Sequence, residues 1–289
     1  MADFKLSKKR AEEVARKAVS MLEEKVFPFD RHDVLPDVVL PEGVKQGSLE
    51  HSFFLFYSCS IDSLRSAQKV YAATRSIANE VRLDRIYAYT EQYLEGVISR
   101  HLEKPGGINE PVKILSYNAM KIYMEHGNDP RTLNDGTIDG TLRNLRGFHG
   151  VGHGKAALIM KNFVRFGIWG FSPYEIPIKV DRHVIRISMG TGVVELPSDV
   201  DIIRSDKMVK ALSNLYREVT SEKRVSAVDL DDALWGIGSN LCFGNSYLNC
   251  STICRLGCYS RPGADSRAIW FYPQEEKRRH GLFKSYKKK

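Results

Sequence analysis

The sequence predicts a mostly α-helical protein, on three observations. Apolar residues recur at helix spacing through much of the chain, as with Val14, Val19 and Leu22. The opposite faces of these segments are charged, the pattern of helices packed around a common core. The chain has 289 residues and is 43% hydrophobic, enough for one sizeable unit or two small ones that share an interface.

Taken in order, residues 6–26 form the first predicted helix. Pro28, Pro36 and Pro41 then fall among valines and leucines, predicting an irregular loop over 27–48 with room for a short strand. The run Phe53-Phe54-Leu55-Phe56-Tyr57 is too short for a membrane segment and reads as core. A helix is expected over 61–81, with Ser60 or Asp62 as its N-cap, and further helices over 83–102 and 112–124. Residues 127–136 carry the Gly, Asn, Asp and Pro of a turn-rich loop. The chain therefore divides into an N-terminal helix and loop (1–48), a helical domain (49–136), a glycine-rich segment (137–190), C-terminal helices with a cysteine loop (191–260) and a basic tail (261–289). That tail holds Lys277, Arg278 and Arg279, ends in three lysines, and is expected to be partly disordered.

Lys and Arg exceed Asp and Glu by 43 to 35, a net charge of +8 that favours a polyanionic partner without specifying it. No apolar leader or bilayer-length stretch is present, so a soluble intracellular protein of cytoplasm or nucleoid is expected, with no membrane partner. Cys59 stands apart and reads as a packing residue. Cys242, Cys250, Cys254 and Cys258 cluster, and in a reducing compartment such a group is a metal-site pattern before it is a disulfide pattern.

The most informative stretch is Phe148-His149-Gly150-Val151-Gly152-His153-Gly154-Lys155-Ala156, which places a helix end, a hairpin and a new helix in succession. Gly150 and Gly152 bracket Val151, so positive φ is expected at the glycines while the valine anchors the turn. Ala156 lets the second helix approach the first. Backbone N–H groups at that helix start, together with Lys155, can hold a phosphate, making residues Gly150, Val151, Gly152, His153, Gly154 and Lys155 the predicted DNA contact. A Gly/Pro-containing loop over 167–177 follows, and then Val180-Asp181-Arg182-His183-Val184-Ile185-Arg186-Ile187.

This order resembles the helix-hairpin-helix, Gly/Pro-loop, aspartate superfamily of DNA glycosylases, to which endonuclease III belongs. The likeness is clear over residues 138–190 and returns at the cysteines. It implies two helical domains with an interdomain cleft, a double-stranded DNA partner containing a damaged base, and action as a monomer. It also implies that Asp181 is catalytic. Cleaving a base from deoxyribose passes through an oxocarbenium-like transition state, whose charge a nearby carboxylate offsets. Asp181 also suits an N-cap, and the two roles are compatible. His183 and Arg186 suit phosphate binding or structural pairing.

In bifunctional members of that superfamily the hairpin reads Gly-Val-Gly-x-Lys, and the lysine forms a Schiff base with the sugar that leads to strand cleavage. Aligned without a gap, that position here is Gly154, with Lys155 one residue later. One residue turns a side chain by about 100° around the helix. Direct alignment thus favours a monofunctional enzyme using Asp181 and water, and a one-residue adjustment would restore Lys155 as nucleophile.

The spacing Cys242-x7-Cys250-x3-Cys254-x3-Cys258 differs in every interval from the superfamily's iron–sulfur loop, but lies at the same place. A structural [4Fe–4S] cluster is the first expectation and zinc the second. Two other functions compete: a non-catalytic helix-hairpin-helix DNA-binding protein, and a nucleosidase acting on a modified nucleotide or RNA. Phe53, Phe56, Tyr57, Trp169, Tyr174 and Trp235 are the aromatics available for a base pocket.

Overall fold

The computed structural model describes residues 4–36, 38–62, 67–102, 109–195, 206–242 and 254–258. The basic tail and Cys250 lie outside the described residues. The chain forms two compact units, one from residues 1–34 and 180–289 and the other from 35–179. Both are helical.

In the 35–179 unit, α2 (Leu49–Ile61) is the central element, with α1 (Lys8–Glu23) belonging to the other unit. Ser48 caps it, its hydroxyl accepting the His51 N–H at 3.2 Å. Every side chain from His51 to Ile61 is buried, the condition of a helix surrounded by others. Around it pack α3 (Ala67–Glu80), α5 (Asn109–Glu125) and α7 (His153–Arg165). The expectation that Ser60 or Asp62 starts a helix is corrected. Asp62 is the C-cap of α2, and the Ser60 hydroxyl donates back to the Phe56 carbonyl at 2.7 Å. A helix buried on all sides has no polar stripe, so its sequence carries no periodic mark of where it ends.

The predicted helix over 83–102 is two pieces, a 3-10 segment (Leu83–Ala88) and α4 (Glu91–His101), which Thr90 caps through the Tyr93 N–H. The turn-rich loop holds a second 3-10 segment, Pro130–Leu133. Its Arg131 carbonyl accepts the Trp169 indole N–H at 3.0 Å, and Trp169 is buried against Phe163. α6 (Ile138–Arg146) then leads into the hairpin.

In the other unit, β1 (Lys5–Leu6) pairs antiparallel with β2 (Val194–Glu195), Leu6 opposite Val194. No strand forms among the described residues of 27–48, where turns prevail. α1 (Lys8–Glu23) starts at Ser7 and buries Ala11, Val14, Ala15, Ala18, Val19 and Met21. It packs against α9 (Asp206–Lys223) and α10 (Ala227–Asn240), and α10 also packs against α8 (Arg182–Gly190). Gly238 sets that last approach: a Cβ there would lie 2.5 Å from the Cβ of His183. No helix of the described residues is long and apolar enough to cross a membrane.

Candidate functional site

The hairpin between α6 and α7 is built from local chemistry and then clamped from outside. Gly150 has φ +71°, and a Cβ there would meet Ile114 Cδ1 at 2.7 Å, so only glycine fits. Gly152, predicted to share that conformation, has φ −85° and is instead the N-cap of α7. One left-handed residue suffices because the helix starts immediately afterwards. Leu145, Phe148 and Val151 are buried, and Phe148 meets Phe56 edge to face at 5.1 Å. His149, Gly150, Gly152 and His153 stay exposed.

Asn118, buried on α5, holds this turn. Its amide donates to the His149 carbonyl at 3.0 Å and accepts the His149 N–H at 2.8 Å. Lys121, one turn further along α5, donates to the Gly147 carbonyl at 3.0 Å. The N-cap Gly152 offers no side chain to the start of α7, a helix end whose dipole favours an anion, and Arg146 stands beside His153. The arrangement suits a phosphate.

Gly152 as N-cap puts Gly154 second and Lys155 third in α7. Lys155 extends to the end of α2, where its Nζ donates to the Ser60 carbonyl. Burial lowers its pKa from the ordinary 10.5 to about 8. A deprotonated amine is the nucleophilic form. Around it lies a buried polar group: the Asn162 amide donates to the Tyr71 hydroxyl at 3.0 Å and to the Cys59 thiol at 3.2 Å. Burial raises the Cys59 thiol and the Tyr71 phenol, keeping both neutral. Cys59 is thus a packing residue, as expected, and also a hydrogen-bonded one. Lys179 donates to Asp62 at 3.0 Å in the same region.

In the other unit, Asp181 is the N-cap of α8: its Oδ1 accepts the N–H groups of His183 at 2.8 Å and Val184 at 3.3 Å. It is half-buried. His183 and Arg186 are buried, with Arg186 donating to the Gly238 carbonyl and standing 3.0 Å from His183 Nδ1. Burial lowers the His183 pKa, so the neutral imidazole is favoured. These two residues are structural, and of their two readings the phosphate contact falls away. Phe53, Phe56 and Tyr57 are likewise core, each 1% exposed or less.

Of the four cysteines, Cys254 and Cys258 have adjoining thiols, and the hydrogen bond from Cys258 lowers the Cys254 pKa to about 7. A thiol that ionises near neutrality is suited to ligation. Cys242 follows α10, its N–H bonded to the Ile237 carbonyl at 3.1 Å. Among the described residues no group of three His, Cys, Asp or Glu side chains is gathered as a metal-ligand set.

No protein-family model and no curated protein sequence matches the chain. Solved structures do. An endonuclease III in a non-covalent DNA complex is similar over 89% of this chain and 97% of its own, with TM-score 0.60 and 18% identity. A trapped endonuclease III–DNA covalent intermediate, an estranged-adenine complex, is similar over the same shares, with TM-score 0.60 and 17% identity. The chain has an endonuclease III-like fold.

Within this endonuclease III-like fold, Asn118, Lys121, Asp62, Asn162, Tyr71 and Lys179 contact the candidate residues of the hairpin and of α7 or their neighbours, and the motifs do not contain them. Each acts across the fold, from a helix or loop distant in sequence from its partner. No pattern of spacing marks them.

Proposed function

We propose that the chain is a DNA base-excision glycosylase that extrudes a damaged or mismatched base from the duplex and cleaves its N-glycosidic bond. The observation that carries this reading is the Lys155 amine, desolvated to a pKa of about 8 in the first turn of α7, next to an uncapped helix start that suits phosphate. It sits on a chain whose neighbours in fold are endonuclease III–DNA structures, one of them a trapped covalent intermediate.

The hairpin around Gly150 and Gly152 and the start of α7 grip the backbone of the duplex, which gives affinity without base sequence. Val151 is buried beneath the turn, and Lys155 is directed to the end of α2 instead of to a phosphate. Asp181 offsets the positive charge that grows on the sugar as the bond to the base breaks and its electron pair leaves with the base. Its hydrogen bonds to the start of α8 fix the carboxylate in place. In the monofunctional route water then adds to C1′. In the bifunctional route the Lys155 amine adds there, the sugar ring opens to an iminium, and elimination cleaves the strand. The desolvated amine favours the second route for this chain.

Cys242, Cys250, Cys254 and Cys258 are the residues to hold a [4Fe–4S] cluster, supported by the adjoining Cys254 and Cys258 thiols. When bound, such a cluster serves here to tie the chain around α10 into place.

A panel of duplexes, each with one oxidised, deaminated or alkylated base, tests the reading. At least one should yield an alkali-labile site that Asp181→Asn does not make. Salt-sensitive duplex binding with no lesion processed would instead identify a non-catalytic binder. Processing of free nucleosides without duplex binding would identify a nucleosidase.

A further inference from the structure

Two lysines and one carboxylate meet at the end of α2, and their pairing is selective. Asp62 caps that helix end, only two residues from the Ser60 carbonyl that receives Lys155. A carboxylate so near an ammonium would ordinarily pair with it and hold it charged. Asp62 is bound by Lys179 instead, at 3.0 Å, with the two side chains only 12% and 19% exposed. Partial burial strengthens such a pair relative to one in water.

Lys179 reaches that position by passing Gly154 on α7. A Cβ at residue 154 would lie 3.8 Å from Lys179 Cγ, an ordinary van der Waals contact, so the lysine stem lies beside the first turn of α7. A long side chain at 154 would have to share that path.

We propose that the Asp62–Lys179 pair leaves the Lys155 amine available for covalent chemistry, Lys179 being a positioning residue that takes the carboxylate Lys155 would otherwise bind. This rests on the reading of Lys155 as the amine nucleophile of a DNA glycosylase. The charged and titratable groups acting on Lys155 are Asp62 and Cys59 at the end of α2, Lys179, and Glu110 on α5; Asp62, Cys59 and Glu110 favour the ammonium, Lys179 disfavours it. Removing Lys179 both deletes a neighbouring cation and frees Asp62, two changes of the same sign.

The test uses the full chain and duplex DNA with a preformed abasic site, which makes it independent of lesion identity. The Lys155 amine adds to the C1′ aldehyde, water leaves, and borohydride reduces the resulting imine to a stable amine crosslink. The initial rate of crosslinking is read against pH. For Lys179→Gln the midpoint should rise by about one pH unit, so that the rate at pH 7 falls about tenfold. Asp62→Asn should move the midpoint down. Lys179→Arg keeps a cation for Asp62 and should restore the original profile. Lys155→Gln should abolish the crosslink. The proposal is overturned if Lys179→Gln and Asp62→Asn leave the midpoint in place or shift it the same way. It is also overturned if the crosslink maps to Lys179, or if the unaltered chain forms none. Base release from the lesion panel is a separate readout, so the glycosylase reading stands or falls independently of this result.

Discussion

The side-chain amide of Asn118 satisfies both main-chain groups of His149, donating to its carbonyl and accepting its N–H. A residue of α5 thereby fixes the tip of the hairpin that follows α6. Asn118→Ala removes both hydrogen bonds to the main chain of His149, at a cost of about 1–3 kcal/mol in stability. Duplex affinity should fall more than that loss of stability accounts for, because the turn itself is loosened. Thermal unfolding together with a binding titration at fixed salt checks this, and unchanged affinity in a folded variant would count against the hairpin as the DNA contact.

The two hairpin glycines should respond differently to alanine. At Gly150 the backbone is left-handed and Ile114 occupies the space, so Gly150→Ala should lower the melting temperature by several degrees. Gly152 has ordinary φ and open space around its Cβ position, so Gly152→Ala should cost only the small N-cap preference. Comparable destabilisation by both would contradict the turn geometry described here.

Asp181 combines a cap with a proposed chemical role, and two substitutions separate them. Asparagine caps helices about as well as aspartate, so Asp181→Asn should melt near the unaltered chain yet release no base. Asp181→Ala should lose the activity and also about 1 kcal/mol of stability. Retained excision in Asp181→Asn would reduce the residue to a cap.

Lys155 also makes folding stability depend on pH. Its folded pKa is about 8, below the ordinary 10.5, so between those values the unfolded chain binds more protons than the folded one. Stability from this group therefore rises with pH across that window. Denaturant titrations of the unaltered chain and Lys155→Met, compared from pH 7 to pH 10, should show the difference shifting in favour of the unaltered chain. A constant difference would mean that the amine is not desolvated.

Much of this was legible in the sequence because it is local. The helical class follows from amphipathic spacing, as in α1, whose buried positions include Val14 and Val19. The turn at Gly150 and the cap at Asp181 follow from the chemistry of single residues beside a helix start. What stayed hidden depends on partners far along the chain. α2 has no solvent face, so its end at Ile61 left no periodic trace. Nothing adjacent to His149 announces Asn118. The sequence offered Lys155 only as a misregistered lysine, and its chemical interest comes from Ser60, Asp62 and Lys179, which the fold brings to it.

The central claim is that this chain removes bases from DNA. Its most direct measurement is mass-spectrometric detection of free bases released from DNA that has been oxidised, deaminated and alkylated. The unaltered chain should release at least one modified base catalytically, and Asp181→Asn, matched in stability and duplex binding, should release none. Equal release by both, or none from either while duplex binding persists, would contradict it.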